Sequence, residues 1–160
     1  MRSLTIWIPG RPPTPNTRPG NPMVAYRLRD HWKSIARNAA VAAALDAGWP
    51  LMATGMERVR VSPRHFEERA RMVVADPIRW VDEYGMVFVV RSRIERDWDN
   101  AVASSKPLTD GLVDAGLLAG DSTNYIRSAG RRVTFLYRKG VDGVEITVQE
   151  GESPLTQLSL

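Results

Sequence analysis

Two aspartates, Asp97 and Asp99, stand just after an apolar segment, residues 86–91, that has the composition of a buried strand. Side chains at positions i and i+2 of an extended chain point to the same side, so both carboxylates are expected near one point at the strand's end. Two neighbouring anions repel each other unless a divalent cation or basic side chains lie between them. Arg93 and Arg96 are close enough in the sequence to be those basic partners.

This acidic pair is open to three interpretations. In the first, Asp97 caps a turn and Asp99 caps the helix that follows, a position that aspartate favours. In the second, the pair opens an EF-hand loop, which fails because Ala101 and Val102 stand where that loop requires Asp or Asn and then Gly. In the third, the pair binds Mg²⁺, which needs further carboxylates from elsewhere in the chain.

Composition restricts the metal chemistry that is open to the chain. It has no cysteine and 2 histidines, which excludes disulfides, thiolate catalysis and cysteine-based metal sites and argues against a site of several histidines. Carboxylates must therefore hold any metal, which favours a hard ion such as Mg²⁺ or Mn²⁺. The 22 lysines and arginines exceed the 18 acids and leave a net charge of +4, a modest excess that favours a polyanionic partner.

Length and hydropathy predict one domain without a membrane segment. The 160 residues are enough for one core. We assign residues 1–150 to a single domain and residues 151–160, which show no hydrophobic period, to a flexible C-terminal tail. There is no targeting signal at the N-terminus, and the most apolar stretch, residues 39–45, is far shorter than the ~20 residues of a membrane span. We therefore expect a cytoplasmic protein.

Hydrophobic periods predict an α+β fold, with a small mixed β-sheet packed against two main helices. A proline-rich loop, residues 10–22, separates the first strand from the first helix. Residues 63–84 are the least informative, although residues 65–73 could form a short helix. Residues 140–143 predict a hairpin turn between the last two strands. The predicted strands are residues 4–8, 57–61, 86–91, 131–137 and 144–148, and the predicted helices are residues 25–47 and 111–118.

A second group of polar residues follows the acidic pair at helical spacing. Lys106 and Asp110 are one turn apart, and Gly116 is suited to end their helix. Asp121 stands on a Gly-Asp-Ser turn beyond that helix. A strand, a helix and a return turn can bring Asp121 back beside the acidic pair.

The combined pattern is Asp97-x-Asp99-Asn100, Lys106-x-x-x-Asp110-x-Leu112, Ala115-Gly116 and Asp121. It resembles the signature of the RusA family of Holliday junction resolvases, D-x-D-N-x-x-K-x-x-x-D-x-L followed by a-G and D-D. The strong part of the resemblance covers residues 93–126, and the strand and proline loop of residues 8–16 match weakly. Taken together the pattern is specific, whereas any single piece of it is not.

The resemblance implies a RusA-like fold and a Mg²⁺-dependent endonuclease, with Mn²⁺ as a possible substitute. Such an enzyme acts as a homodimer on four-way DNA junctions in recombination and repair, and it nicks two opposed strands symmetrically. It would work in the cytoplasm of a bacterium, encoded by the chromosome or by a phage. Asp97, Asp99 and Asp121 correspond to the essential carboxylates that bind metal, and Lys106 to the essential lysine. Asn100 and Asp110 are expected to support these residues without binding metal themselves.

The sequence departs from the family pattern at two points. Five residues, not two, separate Asn100 from Lys106, and three extra residues advance a helix by ~300° and ~4.5 Å, back towards the same face. Pro107 is expected to kink the helix or to start one there. The simplest alternative role for Lys106 is an ion pair with Asp110, worth only ~0.3–0.5 kcal/mol. Gly120 replaces the first acid of the family's terminal pair, which is expected to lower metal affinity or to alter metal preference.

Basic residues near the acidic site are candidates for contacts with DNA phosphates, which bind without reading sequence. Lys33 belongs to a basic stripe on the first helix, with Arg29 and Arg37, which is either a solvated face or a phosphate-binding one. Two other functions stay open: a metal-dependent nuclease for flaps or other branched DNA, and a basic DNA-binding protein without catalysis. The further candidates for DNA contact are Arg91, Arg93, Arg96, Arg127, Arg131 and Arg132.

Overall fold

The computed structural model describes residues 1–13, 20–91 and 98–153. In these residues the chain has an α+β fold, as predicted, with two α-helices, a mixed four-stranded sheet and a separate two-stranded sheet. The end of the predicted tail, residues 154–160, lies outside the described residues. The elements are β1 (Ser3–Pro9), α1 (Pro22–Asp46), β2 (Leu51–Ser62), β3 (His65–Val74), β4 (Val81–Val90), α2 (Trp98–Asp114), β5 (Arg131–Tyr137) and β6 (Gly143–Glu150).

The four-stranded sheet has the order β1-β6-β4-β5. Strand β5 is parallel to β4, and β6 is antiparallel to both β1 and β4. The predicted hairpin between β5 and β6 is therefore wrong, because residues 140–143 lead from the edge of the sheet past β4 to its interior. Burial explains the order: Val144, Ile146 and Val148 are fully buried, whereas most of β5 is exposed, so the more apolar strand takes the central place.

Strands β2 and β3 form an antiparallel hairpin of their own. The short helix considered for residues 65–73 is wrong, because this segment pairs along its length with β2. The predicted strand at residues 57–61 is correct but too short, since β2 extends from Leu51 to Ser62. Beyond its base the hairpin is exposed on both faces, so no one-sided hydrophobic pattern marks its limits in the sequence.

The core lies between one face of the four-stranded sheet and the two helices. Alternate residues of β1 are buried, and Ala36, Ala40 and Ala44 form a buried stripe along α1 at intervals of four residues. Such small side chains allow α1 to approach α2 closely, and Leu108 and Leu112 of α2 are fully buried in the same cluster. Neither of the described helices is long and apolar enough to cross a lipid bilayer.

Helix α2 begins at Trp98 and ends at Asp114, so the predicted helix of residues 111–118 corresponds only to its last turn. Gly116 ends it, as predicted, with a φ of +70°, a left-handed conformation that glycine adopts without strain. A Cβ atom at Gly116 would stand 2.8 Å from the carbonyl oxygen of Val74. The end of α2 is thus held directly against the end of β3, where the amide of Val74 donates to the carbonyl of Ala115 at 2.8 Å.

The first and last strands are fastened by an ion pair between Arg2 and Glu150. The Arg2 guanidinium donates through Nε at 3.0 Å and through Nη2 at 2.8 Å to the two carboxylate oxygens. This contact holds the pKa of Glu150 below its usual value of 4.5. The carboxylate therefore contributes stability above about pH 4.5 that is lost as the pH falls through the lowered pKa.

We expect Glu150→Gln to destabilise the protein by about 1–2 kcal/mol at pH 7, because the neutral amide cannot replace a two-point charged hydrogen bond. The difference from wild type should shrink as the pH falls below about 4, where the wild-type carboxylate also becomes neutral. Urea denaturation across this pH range measures it, with Glu152→Gln at a nearby exposed position as the control. A difference that stayed constant with pH would contradict the assignment of the effect to the ion pair.

Candidate functional site

The side chains of Lys106, Asp110 and Asp121 meet on the exposed side of α2. Lys106 Nζ donates to Asp110 Oδ1 at 2.8 Å and also contacts Asp121 Oδ2 closely. The predicted ion pair between Lys106 and Asp110 is therefore present. Asp121, fifteen residues further along the chain, joins the same ammonium group, so the return turn brings one predicted metal ligand next to the predicted catalytic lysine.

Helix α2 carries Lys106 and does not start at Pro107, because this proline lies inside the helix and is buried. Proline removes one backbone hydrogen bond from a helix and displaces the carbonyl four residues earlier. Hydroxyl groups bond to carbonyls around this turn: Ser104 Oγ lies 2.8 Å from the carbonyl oxygen of Asn100, and Ser105 Oγ lies 2.6 Å from that of Val102. The carbonyl four residues before Pro107 is that of Ala103, so these side-chain bonds do not replace the missing one, and the helix continues through Lys106 with the proline ring buried.

The turn that carries Asp121 is positioned by backbone pairing with the segment before β4. The amide of Ile78 donates to the carbonyl of Leu117 at 2.8 Å, and the amide of Ala119 donates back to the carbonyl of Ile78 at 3.0 Å. Arg131, the first residue of β5, donates from Nη2 to the backbone carbonyl of Asp121. Asp121 is thereby held from both sides of its turn.

Electrostatic contacts favour the charged forms of Lys106 and Asp121. Hydrogen bonds to Asp110 and Asp121 raise the pKa of Lys106 above its usual value of 10.5. The bond from Lys106 in turn lowers the pKa of Asp121 below 3.8, against a smaller effect of burial in the opposite direction. The arrangement is therefore one ammonium held by two carboxylates at a solvent-exposed site, where Lys106 is 62% exposed.

Tyr84, a buried residue of β4 that the sequence did not indicate, contacts the helix that carries the site. Thr109 Oγ1 donates to the carbonyl of Ser105 at 3.1 Å, so the Tyr84 hydroxyl must be the donor in its 2.8 Å bond to Thr109 Oγ1. Burial raises the pKa of Tyr84 far above its usual value, which keeps this proton in place. The bond ties β4 to the turn of α2 that precedes Asp110. A tyrosine within a strand has no spacing signal that would reveal such a contact.

The other predicted metal ligands are not all brought to this cluster. Asp99 is exposed in the first turn of α2, seven residues before Lys106, which corresponds to about 10 Å along the same helix face. Asp97 lies outside the described residues. Within the described parts of the chain, no three acidic or histidine side chains are grouped closely enough to hold a metal ion. Asn100, predicted as a supporting residue, contributes its carbonyl to the Ser104 bond.

The donor chemistry present at the site suits a hard divalent cation. Asp110 and Asp121 already surround one positive charge, the ammonium of Lys106, and both oxygens that contact it are carboxylate oxygens. Carboxylates that are partly open to water are the ligands from which Mg²⁺ sites are commonly built. Asp121 is therefore chemically suited to be a ligand, whereas Asp99, also predicted as a ligand, lies about 10 Å from Lys106 along α2, and Asp97 lies outside the described residues.

The predicted DNA-binding residues are divided among several places. Arg131 lies at the site. Arg132 lies on the opposite face of the sheet, because side chains alternate along β5. Arg91 is paired with Asp142 at 2.8 Å and stays 67% exposed. Arg127 is exposed on the turn between Asp121 and β5. Arg93 and Arg96 lie outside the described residues.

Lys33 lies on α1 next to the site, on the far side of a groove from Lys106. Its Nζ is 2.9 Å from Asp114 Oδ2. The predicted basic stripe of α1 is only partly solvated, since Arg37 is buried and bonded to Glu57 at 2.8 Å. Lys33 and the exposed Arg29 therefore form the basic part of α1 that remains open towards α2.

The groove between α1 and α2 has a volume of about 690 Å³. The lining residues of each helix recur at intervals of three or four positions, so each helix presents one face to the groove. Tyr26, which is 58% exposed, is an aromatic group at this groove that the sequence did not indicate. The lining residues with polar or aromatic side chains are Tyr26, Arg29, Asp30, Lys33, Lys106 and Asp110.

Comparison with known protein sequences adds no information about this site. No known family model matches the chain, and no curated protein matches it significantly. The site therefore has to be interpreted from its own residues, namely a lysine held by two aspartates beside a groove lined by both basic and acidic side chains.

Proposed function

We propose that this protein is a Mg²⁺-dependent, structure-specific endonuclease that resolves four-way DNA junctions by paired symmetric nicks. The observation that supports this most is the contact of Lys106 with Asp121, which joins two of the residues matching the RusA signature although fifteen positions separate them. As the resemblance implies, the enzyme acts as a homodimer in DNA recombination and repair. It works in the cytoplasm of a bacterium, whether the gene is chromosomal or carried by a phage.

Asp97, Asp99 and Asp121 are the residues that would hold Mg²⁺ or Mn²⁺. A divalent ion bound there supplies Lewis acidity, which lowers the pKa of a water molecule and neutralises charge on the phosphate. Asp99 lies about 10 Å from Lys106 along the same face of α2, which leaves room for a phosphate group between these two side chains.

Lys106 stabilises the negative charge that develops on the phosphate during cleavage. Its two carboxylate partners hold the ammonium in place before substrate binds. When Asp121 is engaged by a cation, the 2.8 Å bond to Asp110 still orients the lysine. Asp110 thus acts as a positioning residue and need not touch the DNA.

The groove between α1 and α2 leads a DNA strand to this site. Lys33 and Arg29 on its α1 wall neutralise backbone phosphates, and Tyr26 provides a ring on which an unpaired base can stack. A pocket of about 690 Å³ accommodates about one nucleotide unit with its phosphate. The duplex arms of the junction must therefore contact other parts of the protein.

The test is a cleavage assay with wild-type protein on labelled four-way junction, flap and linear duplex DNA, with Mg²⁺, Mn²⁺ or EDTA. We expect paired nicks in opposed strands of the junction only when a metal is present. Preferred cutting of the flap would support the alternative of a different branched-DNA nuclease. Binding without cutting in any metal would support the alternative of a non-catalytic DNA-binding protein, and both results would overturn the proposal.

A further inference from the structure

The β2–β3 hairpin extends away from the core as a two-stranded arm. Strand β2 is twelve residues long and none of its residues is buried. In β3, only Val73 and Val74 at the base are buried. An isolated pair of strands in water is only marginally stable, so an arm of this length with both faces exposed suggests a surface that is covered when a partner binds.

The base of the arm is fixed to the part of the molecule that carries the candidate site. Arg37, buried in α1, donates from Nη2 to both carboxylate oxygens of Glu57 at 2.8 Å. Val74 is bonded to Ala115, directly after α2. Because both helices that line the groove hold the hairpin, the arm keeps a defined orientation relative to Lys106.

The two faces of the arm differ in charge. On one face Glu67 pairs with Arg69 at 2.9 Å, and Glu57 is already neutralised by Arg37. The opposite face, which we call the arginine face, carries Arg58 and Arg60 around the ring of Phe66, and Glu68 lies across the ladder from Arg58. From residue 58 to residue 66 the chain has three arginines and no acid, so the end of the arm is strongly basic.

The arginine face has a geometry that suits phosphate binding. The guanidinium carbon of Arg58 lies 4.3 Å above the Phe66 ring and that of Arg60 lies 5.7 Å from it. Arg60 also donates to the carbonyl of Pro63 at 2.7 Å, which fixes the turn. Stacking on a ring leaves the N–H groups at the edge of a guanidinium open to an external acceptor. In the part of the chain that the structure describes, neither Arg58 nor the exposed Arg64 forms an ion pair.

We propose that the β2–β3 hairpin is a DNA-binding arm whose arginine face contacts the phosphates of a duplex arm of the substrate. Because β-strands rise about 3.3 Å per residue, the twelve residues of β2 span about 40 Å, or about twelve base pairs of duplex. A two-stranded ribbon also fits the width of the DNA major groove. This inference rests on the proposed function for the choice of branched DNA as substrate, but not for the binding of duplex phosphates.

The test compares the double variant Arg58→Gln/Arg64→Gln with Arg69→Gln, which removes one arginine from the opposite face. Both retain Arg60 and its bond to the turn, and thermal melting should show both to be folded. Affinity for a fluorescent four-way junction is measured in EDTA over a range of salt concentrations. We expect the double variant to bind about tenfold more weakly and to lose about two from the slope of log affinity against log salt. Arg69→Gln should bind within about twofold of wild type.

The proposal that the arm binds DNA would be overturned if the double variant bound the junction with wild-type affinity. It would also be overturned by weaker binding with an unchanged dependence on salt, since lost phosphate contacts must alter that slope. If the arm variants weaken junction binding as expected but wild-type protein never nicks the junction, the proposed DNA-binding arm is supported and the proposed nuclease function fails. If wild type nicks but the arm variants bind normally, only the arm proposal fails.

Discussion

Replacing Asp121 by asparagine is expected to abolish nicking of a four-way junction, with a loss of at least about 100-fold in rate. Asparagine keeps the shape of the side chain and can still accept a bond from Lys106, but it has no charge with which to hold a divalent cation. Binding of the junction in EDTA should persist or strengthen, since the change removes a negative charge from the site. Single-turnover nicking and fluorescence anisotropy measure the two effects separately.

Asp114→Asn is the matched control, because Asp114 is also a partly exposed aspartate with a lysine partner, Lys33. It should nick at close to the wild-type rate. Asp99→Asn should behave as Asp121→Asn does if both residues bind the same metal. Wild-type nicking by Asp121→Asn would show that the cluster around Lys106 is not catalytic, even if the protein proved to be a nuclease.

Replacing Gly111 by alanine is expected to destabilise the protein by about 2 kcal/mol, although alanine is the better helix former by about 1 kcal/mol. The reason is the close contact of the two helices. A Cβ atom at Gly111 would stand 2.4 Å from the carbonyl oxygen of Lys33 and 2.6 Å from the Cβ of Ala36. Both are parts of α1 that cannot move aside by rotating a side chain, so the helices would have to separate.

Thermal or urea denaturation gives the size of this effect, which corresponds to a fall of about 4–8 °C in Tm for a domain of this length. The control is Gly85→Ala, because a Cβ atom there meets nothing within 4 Å. Separation of the helices would also widen the groove beside Lys33, so junction binding by Gly111→Ala should weaken too. A Gly111→Ala protein as stable as wild type would contradict the close packing of α1 on α2.

The sequence predicted most elements but not all of their pairings. β-Branched and aromatic residues identified β1, alternating apolar residues identified β5 and β6, and the spacing of apolar residues identified α1 within three residues of each end. Which strands pair is decided by competition between segments that are distant in the sequence. Here β6, which is more buried than β5, pairs with β1 and β4 instead of forming a hairpin with β5. Pro107 misled the prediction for α2 because local rules for proline take no account of tertiary burial.

The site was predictable where spacing along the chain determines proximity. The Lys106–Asp110 contact follows from a separation of four on a helix, and the resemblance to a known signature identified Asp121. The contributions of Tyr84 and Arg131 could not be predicted, because each comes from a different strand and depends on how the sheet is assembled. The place of Asp97 relative to these residues remains a prediction, since it lies outside the described residues.

Strand β6 lies between β1 and β4 and pairs with both over its whole length. During synthesis on the ribosome, β1 is made first and then has no partner until residues 143–150 have emerged. Contacts between such distant segments slow folding, and an unpaired apolar strand such as β1 invites association with other chains. β1 is therefore among the last of the described strands to be paired, and the core is complete only once β6 has been made.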